Sequence, residues 1–297
     1  MLERFLTKTQ FSDYEDFMNN FHLQVPEHFN FGYDVIDAYA EEDPEKEAND
    51  RGDVKHLNYR EFKELSDRCA SYLLTLGIER GDRVMLILKR HWQFWYAILG
   101  LHKIGAVAIP ATNQLKEHDL TFRFTKGDIS GIICTADGDI ADQVDSALEK
   151  YDGMKVKILA GGSREGWRSF DDDFEMYSTH FDRKPDTPKG NDTMLMLFTS
   201  GTTGYPRLVS HSYKYALGHY MTARYWHSVD PEGMHFTISE TGWGKALWGK
   251  LYGQWMCGAA TFVYDFDRFH ADDILPMFAK YQITTFCAPP TMLRLMV

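Results

Sequence analysis

Short apolar runs alternate with amphipathic stretches of helical period along most of this 297-residue chain, and that alternation constrains the fold most. Asn58, with Glu61 three residues later, has the form of a capping box. Phe62, Leu65, Cys69, Leu73 and Leu76 then share one helical face, and Gly77 closes the helix. Residues 84–88 read as a short buried strand, 92–104 as a helix stopped by Gly105, and 106–109 as the next strand, halted at Pro110. Helices near 116–125 and 139–150 and strands at 131–134 and 156–159 continue the series. Strand and helix in turn predict an α/β fold, parallel-rich βα layers with helices covering the sheet.

A second series follows. Tyr213, Ala216, Leu217, Tyr220, Met221 and Tyr225 mark a helix with Ser212 as its expected cap. Then come a strand at 236–238, a helix at 244–256, a strand at 260–264, a helix at 272–281 and a strand at 284–287. Residues 161–192 interrupt the rhythm with Gly, Asp, Ser, Lys and Pro. The expected organisation is an arm over 1–28, then subregions 29–160 and 193–297 joined by the polar linker 161–192. The run Asp171-Asp172-Asp173 is expected to be a solvated loop, not a metal site.

Net charge is −11, from 32 basic and 43 acidic residues, which argues against a nucleic-acid surface. No apolar run has the length of a membrane span. The start, Met1-Leu2-Glu3-Arg4-Phe5-Leu6, continues into polar and acidic residues, so a cytoplasmic protein is expected. Cys69, Cys134, Cys257 and Cys287 are widely separated among apolar neighbours, a pattern of buried reduced thiols.

One segment stands out for its chemistry. Phe198-Thr199-Ser200-Gly201-Thr202-Thr203-Gly204-Tyr205-Pro206-Arg207 follows the apolar Met194-Leu195-Met196-Leu197. Two glycines and four hydroxyls can aim several donors at one point, which suits a polyphosphate. A Walker loop would need Lys-Ser/Thr after its second glycine and a helix directly behind it. Here Gly201 and Gly204 are too close together, and Leu208-Val209 is extended.

The segment resembles the phosphate-binding signature of adenylate-forming enzymes, which include acyl-CoA synthetases, luciferases and peptide-synthetase adenylation domains. Leu57-Asn58-Tyr59-Arg60-Glu61, Gly77-Ile78-Glu79-Arg80-Gly81-Asp82-Arg83-Val84 and Lys103-Ile104-Gly105-Ala106-Val107-Ala108-Ile109-Pro110 resemble that family's amino-terminal blocks, in order. Thr241-Gly242-Trp243 and Pro289-Pro290-Thr291 resemble later blocks, and Trp248-Gly249-Lys250-Leu251-Tyr252-Gly253 looks like the acetyl- and medium-chain acyl-CoA synthetase branch. The resemblance implies activation of a carboxylic acid with ATP and Mg2+, then transfer to CoA. It implies ATP phosphate binding by Thr199, Ser200, Gly201, Thr202, Thr203, Gly204 and Arg207, where Arg207 stands in place of the family's usual Lys. It also implies that Trp243 and Gly244 line an acyl pocket or thiol tunnel; the alternative for Trp243 is a helix residue packed on the sheet. His211 is expected either to touch the nucleotide site or to hold a structural hydrogen bond.

The family's adenine-binding block, magnesium-binding glutamate, ribose-binding aspartate and carboxy-terminal domain with its catalytic lysine all come later than Val297. The chain therefore resembles an incomplete amino-terminal part. Exposed apolar faces and association with a complementary carboxy-terminal chain are expected of it. Two other readings keep part of this picture: adenylation with a carrier-protein thiol as acceptor, and a non-catalytic remnant that binds nucleotide or a partner.

Overall fold

The computed structural model describes residues 1–50, 52, 55–200 and 204–297. Its strands are β1 (Glu47–Asp50), β2 (His56–Asn58), β3 (Arg83–Ile87), β4 (Val107–Pro110), β5 (Gly131–Thr135) and β6 (Val156–Ala160). They continue with β7 (Arg168–Ser169), β8 (Thr193–Thr199), β9 (Arg207–Ser212), β10 (Met234–Thr237), β11 (Ala260–Phe262) and β12 (Ile283–Cys287). The helices are α1 (Tyr14–Asn20), α2 (Ala38–Glu42), α3 (Tyr59–Thr75), α4 (Gln93–Ile104), α5 (Glu117–Gly127) and α6 (Ile140–Leu148). After them come α7 (Phe170–Phe174), α8 (Lys214–Met221), α9 (Gly244–Lys250), α10 (Tyr252–Met256), α11 (Ala271–Lys280) and α12 (Pro290–Leu295).

Two sheets form. A seven-stranded sheet runs β7-β6-β5-β3-β4-β8-β9, parallel throughout except for the antiparallel pair β8–β9. A five-stranded sheet runs β12-β10-β11-β1-β2, with β1–β2 its antiparallel pair. Strand parity divides the core. Val84 and Leu86 of β3 face a cluster containing Phe62, Tyr72, Trp95 and Trp255, while Met85 and Ile87 face Leu120, Phe124 and Val144 of α5 and α6. All twelve residues of α4 are buried, the pattern of a helix enclosed on every side.

The sheets do not follow the division at the linker. β1 and β2 precede residue 160 yet belong to the five-stranded sheet, and β8 and β9 follow residue 192 yet belong to the seven-stranded one. The arm is packed onto the body. Phe5 lies edge-on to Phe29 at 5.5 Å, and Phe17 meets Tyr225 at 5.1 Å.

Four local expectations change. The linker contains β7 and α7, and Asp171, Asp172 and Asp173 lie in the first turn of α7, with the Ser169 side chain accepting from Asp172 N. Acidic side chains suit a helix N-terminus, and Asp171 also accepts from Gln93 Nε2 at 2.9 Å and Gly161 N at 2.6 Å. Ser212 is not the cap of α8, because it is the last residue of the β9 ladder, paired with Thr193. The helix expected at 244–256 is two helices, broken at Leu251 (φ −119°, ψ −85°), after which α10 lies against α8. Cys69, Cys134 and Cys257 are buried, but Cys287 at the end of β12 is only half-buried. Apolar side chains are exposed on α12, where Leu295 retains 59% of its surface.

Candidate active site

The hydroxyl-rich segment is the loop of the β8–β9 hairpin. Thr199 ends β8 and pairs with Arg207, the first residue of β9, and the Thr199 Oγ1 hydroxyl lies 3.5 Å from the Arg207 carbonyl oxygen. Thr199, Ser200, Gly204 and Arg207 are exposed, whereas Gly201, Thr202 and Thr203 lie outside the described residues. Gly204 has φ +87°, a left-handed conformation that glycine adopts without strain. Tyr205 stacks on Phe122 of α5 with ring centroids 5.5 Å apart, and Arg123 of the same helix lies 5.2 Å from the Phe198 ring. Both feet of the hairpin therefore rest on α5. The chain behind the loop continues as a strand, and α8 starts only at Lys214.

A cleft of about 560 Å³ opens beyond the carboxyl ends of β3, β4, β10, β11 and β12. Lys89 and Arg90 enter it after β3, Asn113 and Gln114 after β4, Glu240 after β10, Phe266 and Asp267 after β11, and Pro289 and Met292 after β12. Crevices at this edge of a parallel sheet are where α/β folds bind ligands. Trp243 stands in the cleft wall with 59% of its surface exposed, so it does not pack its ring onto the sheet. Beside it, a Cβ built on Gly244 would lie 3.2 Å from Leu197 Cδ1 of β8. The start of α9 thus touches the strand that leads into the phosphate-type loop, and cleft and loop share one edge of the molecule.

The turn that presents Trp243 is tightly held. The Thr241 hydroxyl donates to the Lys89 carbonyl oxygen, and Gly242 N donates to Glu240 Oε1 at 3.0 Å. A Cβ on Gly242 would fall 2.4 Å from the backbone of Ala111 and Thr112, so the turn lies directly against the end of β4. Burial pushes the Glu240 carboxyl above its ordinary range, opposed by the hydrogen bond from Gly242 N. Burial also works against the charge on Lys89, but Asp137 at 2.9 Å and Asp267 at 3.0 Å outweigh it and raise its pKa. Arg90 donates to the carbonyl oxygens of Ile238 and Phe266 and lies 4.0 Å from the Phe266 ring. His211 packs on Tyr215 at 4.3 Å on β9, and burial lowers its pKa.

Lys89, Arg90, Asn113, Gln114 and Glu240 were not anticipated from sequence. Each follows a strand that the apolar pattern had located, and that position is the signal that points to them.

The chain is thus an α/β body with a Ser/Thr/Gly hairpin and a strand-end cleft. Its family model, AMP-binding enzyme, matches residues 36–297, and the chain belongs to that family. Acyl-coenzyme A synthetase ACSM3, mitochondrial, of Homo sapiens is 33% identical, covering 99% of this chain and 52% of that protein. Acyl-coenzyme A synthetase ACSM4, mitochondrial, of Homo sapiens is 31% identical over 98% of this chain and 51% of its own. The chain spans about half the length of the curated relatives it matches. Among solved structures, a Brucella canis acyl-CoA synthetase superposes with a TM-score of 0.79 at 22% identity, over 90% of this chain and 48% of that one. The anthranilate CoA ligase AuaEII, solved with anthranoyl-AMP, gives 0.81 at 19% identity, over 88% and 50%. These two likenesses bear on the fold. No helix among the described residues is long and apolar enough to cross a membrane.

Proposed function

We propose that this chain carries the phosphate-side part of an ATP-dependent acyl-CoA synthetase acting on a small carboxylic acid. The observation that carries the reading is a contact: Gly244, next to the cleft residue Trp243, lies against Leu197 of β8, the strand that leads into the hydroxyl-rich loop. The two curated relatives, synthetases by name, support it.

The chemistry asks for little acid–base help, because a carboxylic acid is already ionised near neutral pH, with a pKa of ~4–5. The difficulty is bringing one anion to the α-phosphorus of another, which positioning and charge stabilisation address. Thr199, Ser200 and the loop after them offer hydroxyl and N–H donors to the departing pyrophosphate, and Arg207 offsets its charge. Trp243 and Gly244 form the wall along which the acyl group or the thiol arm lies. Mg2+ accompanies ATP in such reactions and shields phosphate charge. The hydroxyls and the cation of this segment are not the carboxylate oxygens that Mg2+ prefers.

Calorimetry tests the loop directly. ATP is expected to bind this chain, and Arg207→Ala is expected to weaken binding by roughly 10-fold or more, the worth of one charge-assisted hydrogen bond. No detectable ATP heat from the intact chain would leave only a scaffold. The 297 residues alone are expected to give no ATP- and CoA-dependent thioester, and a measurable rate would refute that part. On a full-length protein, CoA and a carrier protein offered in parallel identify the acceptor. The cytoplasmic location expected from sequence stands as a proposal beside relatives named as mitochondrial, and imaging of the tagged full-length protein decides it.

A further inference from the structure

Among the described residues, five ionisable ones line the strand-end cleft: Lys89, Arg90, Glu240, Lys245 and Asp267. Three are basic side chains and none is a histidine, so a group that accepts a proton there is one of the two carboxylates. Asp267 is held 3.0 Å from Lys89 and leaves 88% of its side chain in water. Glu240 is half-buried in the turn that presents Trp243. We propose that Glu240 is the general base that takes the proton from the acceptor thiol as the thiol attacks the acyl-adenylate. The assignment rests on the synthetase reading above and concerns its second step alone.

The two steps ask different things of the protein. The acid arrives ionised, but the thiol does not. An alkyl thiol titrates near pH ~8.5, so only a few per cent is thiolate at pH 7. A positioned base that removes the proton during attack contributes roughly 100- to 10,000-fold. In this step the Glu240 carboxylate takes the S–H proton, and the sulfur electron pair forms the bond to the acyl carbon. The bond from that carbon to the phosphate oxygen breaks, and AMP leaves with its electron pair. Glu240 then gives its proton to solvent. CoA and a carrier-protein thiol present the same S–H group, so the assignment holds for either acceptor.

The fold orients the carboxylate for this task. Gly242 N donates to Glu240 Oε1 at 3.0 Å, and the Thr112 hydroxyl after β4 donates to the same carboxylate. A carboxylate can accept about four hydrogen bonds, so two orienting donors leave capacity for an S–H. Gly242 lies against the backbone of Ala111 and Thr112 with no room for a side chain, which fixes the turn, and Glu240 with it, beside Thr112. Trp243 follows three residues later and lines the same cleft, which places the carboxylate beside the wall assigned to the thiol arm.

Its electrostatic setting suits a base. Burial raises the proton affinity of Glu240, and the hydrogen bonds from Gly242 and Thr112, then Arg90 and Lys250, work against it. The balance stays above the ordinary glutamate range, which makes Glu240 a stronger base than an exposed carboxylate. The remaining charges around it are Asp265, 3.8 Å from Arg90, the Lys89–Asp267 pair, and Lys245 of α9.

Single-turnover kinetics on the full-length protein, with acyl-adenylate formed first and thiol added second, isolates the step. Glu240→Gln is expected to slow thioester formation roughly 100-fold or more near pH 7, and Glu240→Asp to recover part of the rate. The defect of Glu240→Gln should shrink as pH rises toward ~8.5, where the thiol ionises unaided. A purely structural lesion would lower the rate by one factor at every pH. On the unaltered 297-residue chain, carbon NMR of labelled glutamate should show one carboxyl titrating above the ordinary range, a signal that Glu240→Gln removes. A thiol step indifferent to Glu240→Gln, a deficit constant with pH, or absence of that carboxyl would overturn the assignment. Failure of the unaltered full-length protein to form acyl-adenylate would instead overturn the synthetase reading itself.

Discussion

Lys103 has no solvent exposure at its side chain, yet its ammonium lies 2.7 Å from Asp37 and 2.6 Å from Asp67. Lys63 adds a second cation on Asp67 at 2.6 Å. The cluster joins α4 to α3 and to the helical turn before α2, and burial pushes the Asp37 carboxyl upward against the pull of Lys103. Removing one partner of such a group strands buried charge. Lys103→Met is therefore expected to cost about 3–5 kcal/mol of unfolding free energy, read as a lower urea midpoint at unchanged slope. A shift within error would mean that the network contributes nothing. At this scale the sequence was only partly readable. The phosphate-type residues could be named because they are contiguous. Lys89, Arg90 and Glu240 reach the cleft from separate strand ends, and that convergence exists only in the folded chain.

Elements whose signals are local came through nearly intact. Asn58 accepts from Glu61 N at 2.9 Å and the Glu61 carboxylate accepts from Asn58 N at 2.8 Å, which completes the capping box of α3. Asn58→Ala is expected to lower stability by about 1 kcal/mol. In thermal melts Asn58→Asp should retain most of the cap, and equal losses for the two would argue against capping as the cause. The failures share another origin. Ser212 looks like a cap in isolation but is claimed by the β9 ladder. The break at Leu251 follows from docking α10 on α8, which no periodicity within 244–256 records. Propensity was overruled by tertiary packing in both places.

Across the whole molecule, two buried histidines, His102 and His235, and the half-buried His219 connect the fold to pH. Burial lowers His102 and His235 to about 3, and burial together with His211 and His227 lowers His219 to about 4. Unfolded, each returns to ~6.5, so below that pH the unfolded chain binds more protons than the native one. Stability is thus fully present above pH ~6.5 and is lost as pH falls toward the folded values. At pH 5 the loss is at most about 2 kcal/mol for each histidine. Urea titrations at pH 7 and pH 5 should differ accordingly, and coincident curves would show that these rings protonate freely in the native state. Sheet membership was the least legible property at this scale. Glu47-Ala48-Asn49-Asp50 of β1 has no apolar run to mark a strand, and the apolar run 194–197 of β8 carries no record of its neighbours, so the two series appeared as separate layers.

The interleaving bears on how the chain is made. Asn49 of β1 bonds to Thr261 of β11 across 212 positions of sequence. At ~5–20 residues per second, the hairpin β1–β2 emerges from the ribosome roughly 10–40 s before its neighbour exists. β3 to β6 and their helices can assemble in that interval. Synthesis order therefore favours the seven-stranded sheet first, with the earliest strands kept waiting for the latest.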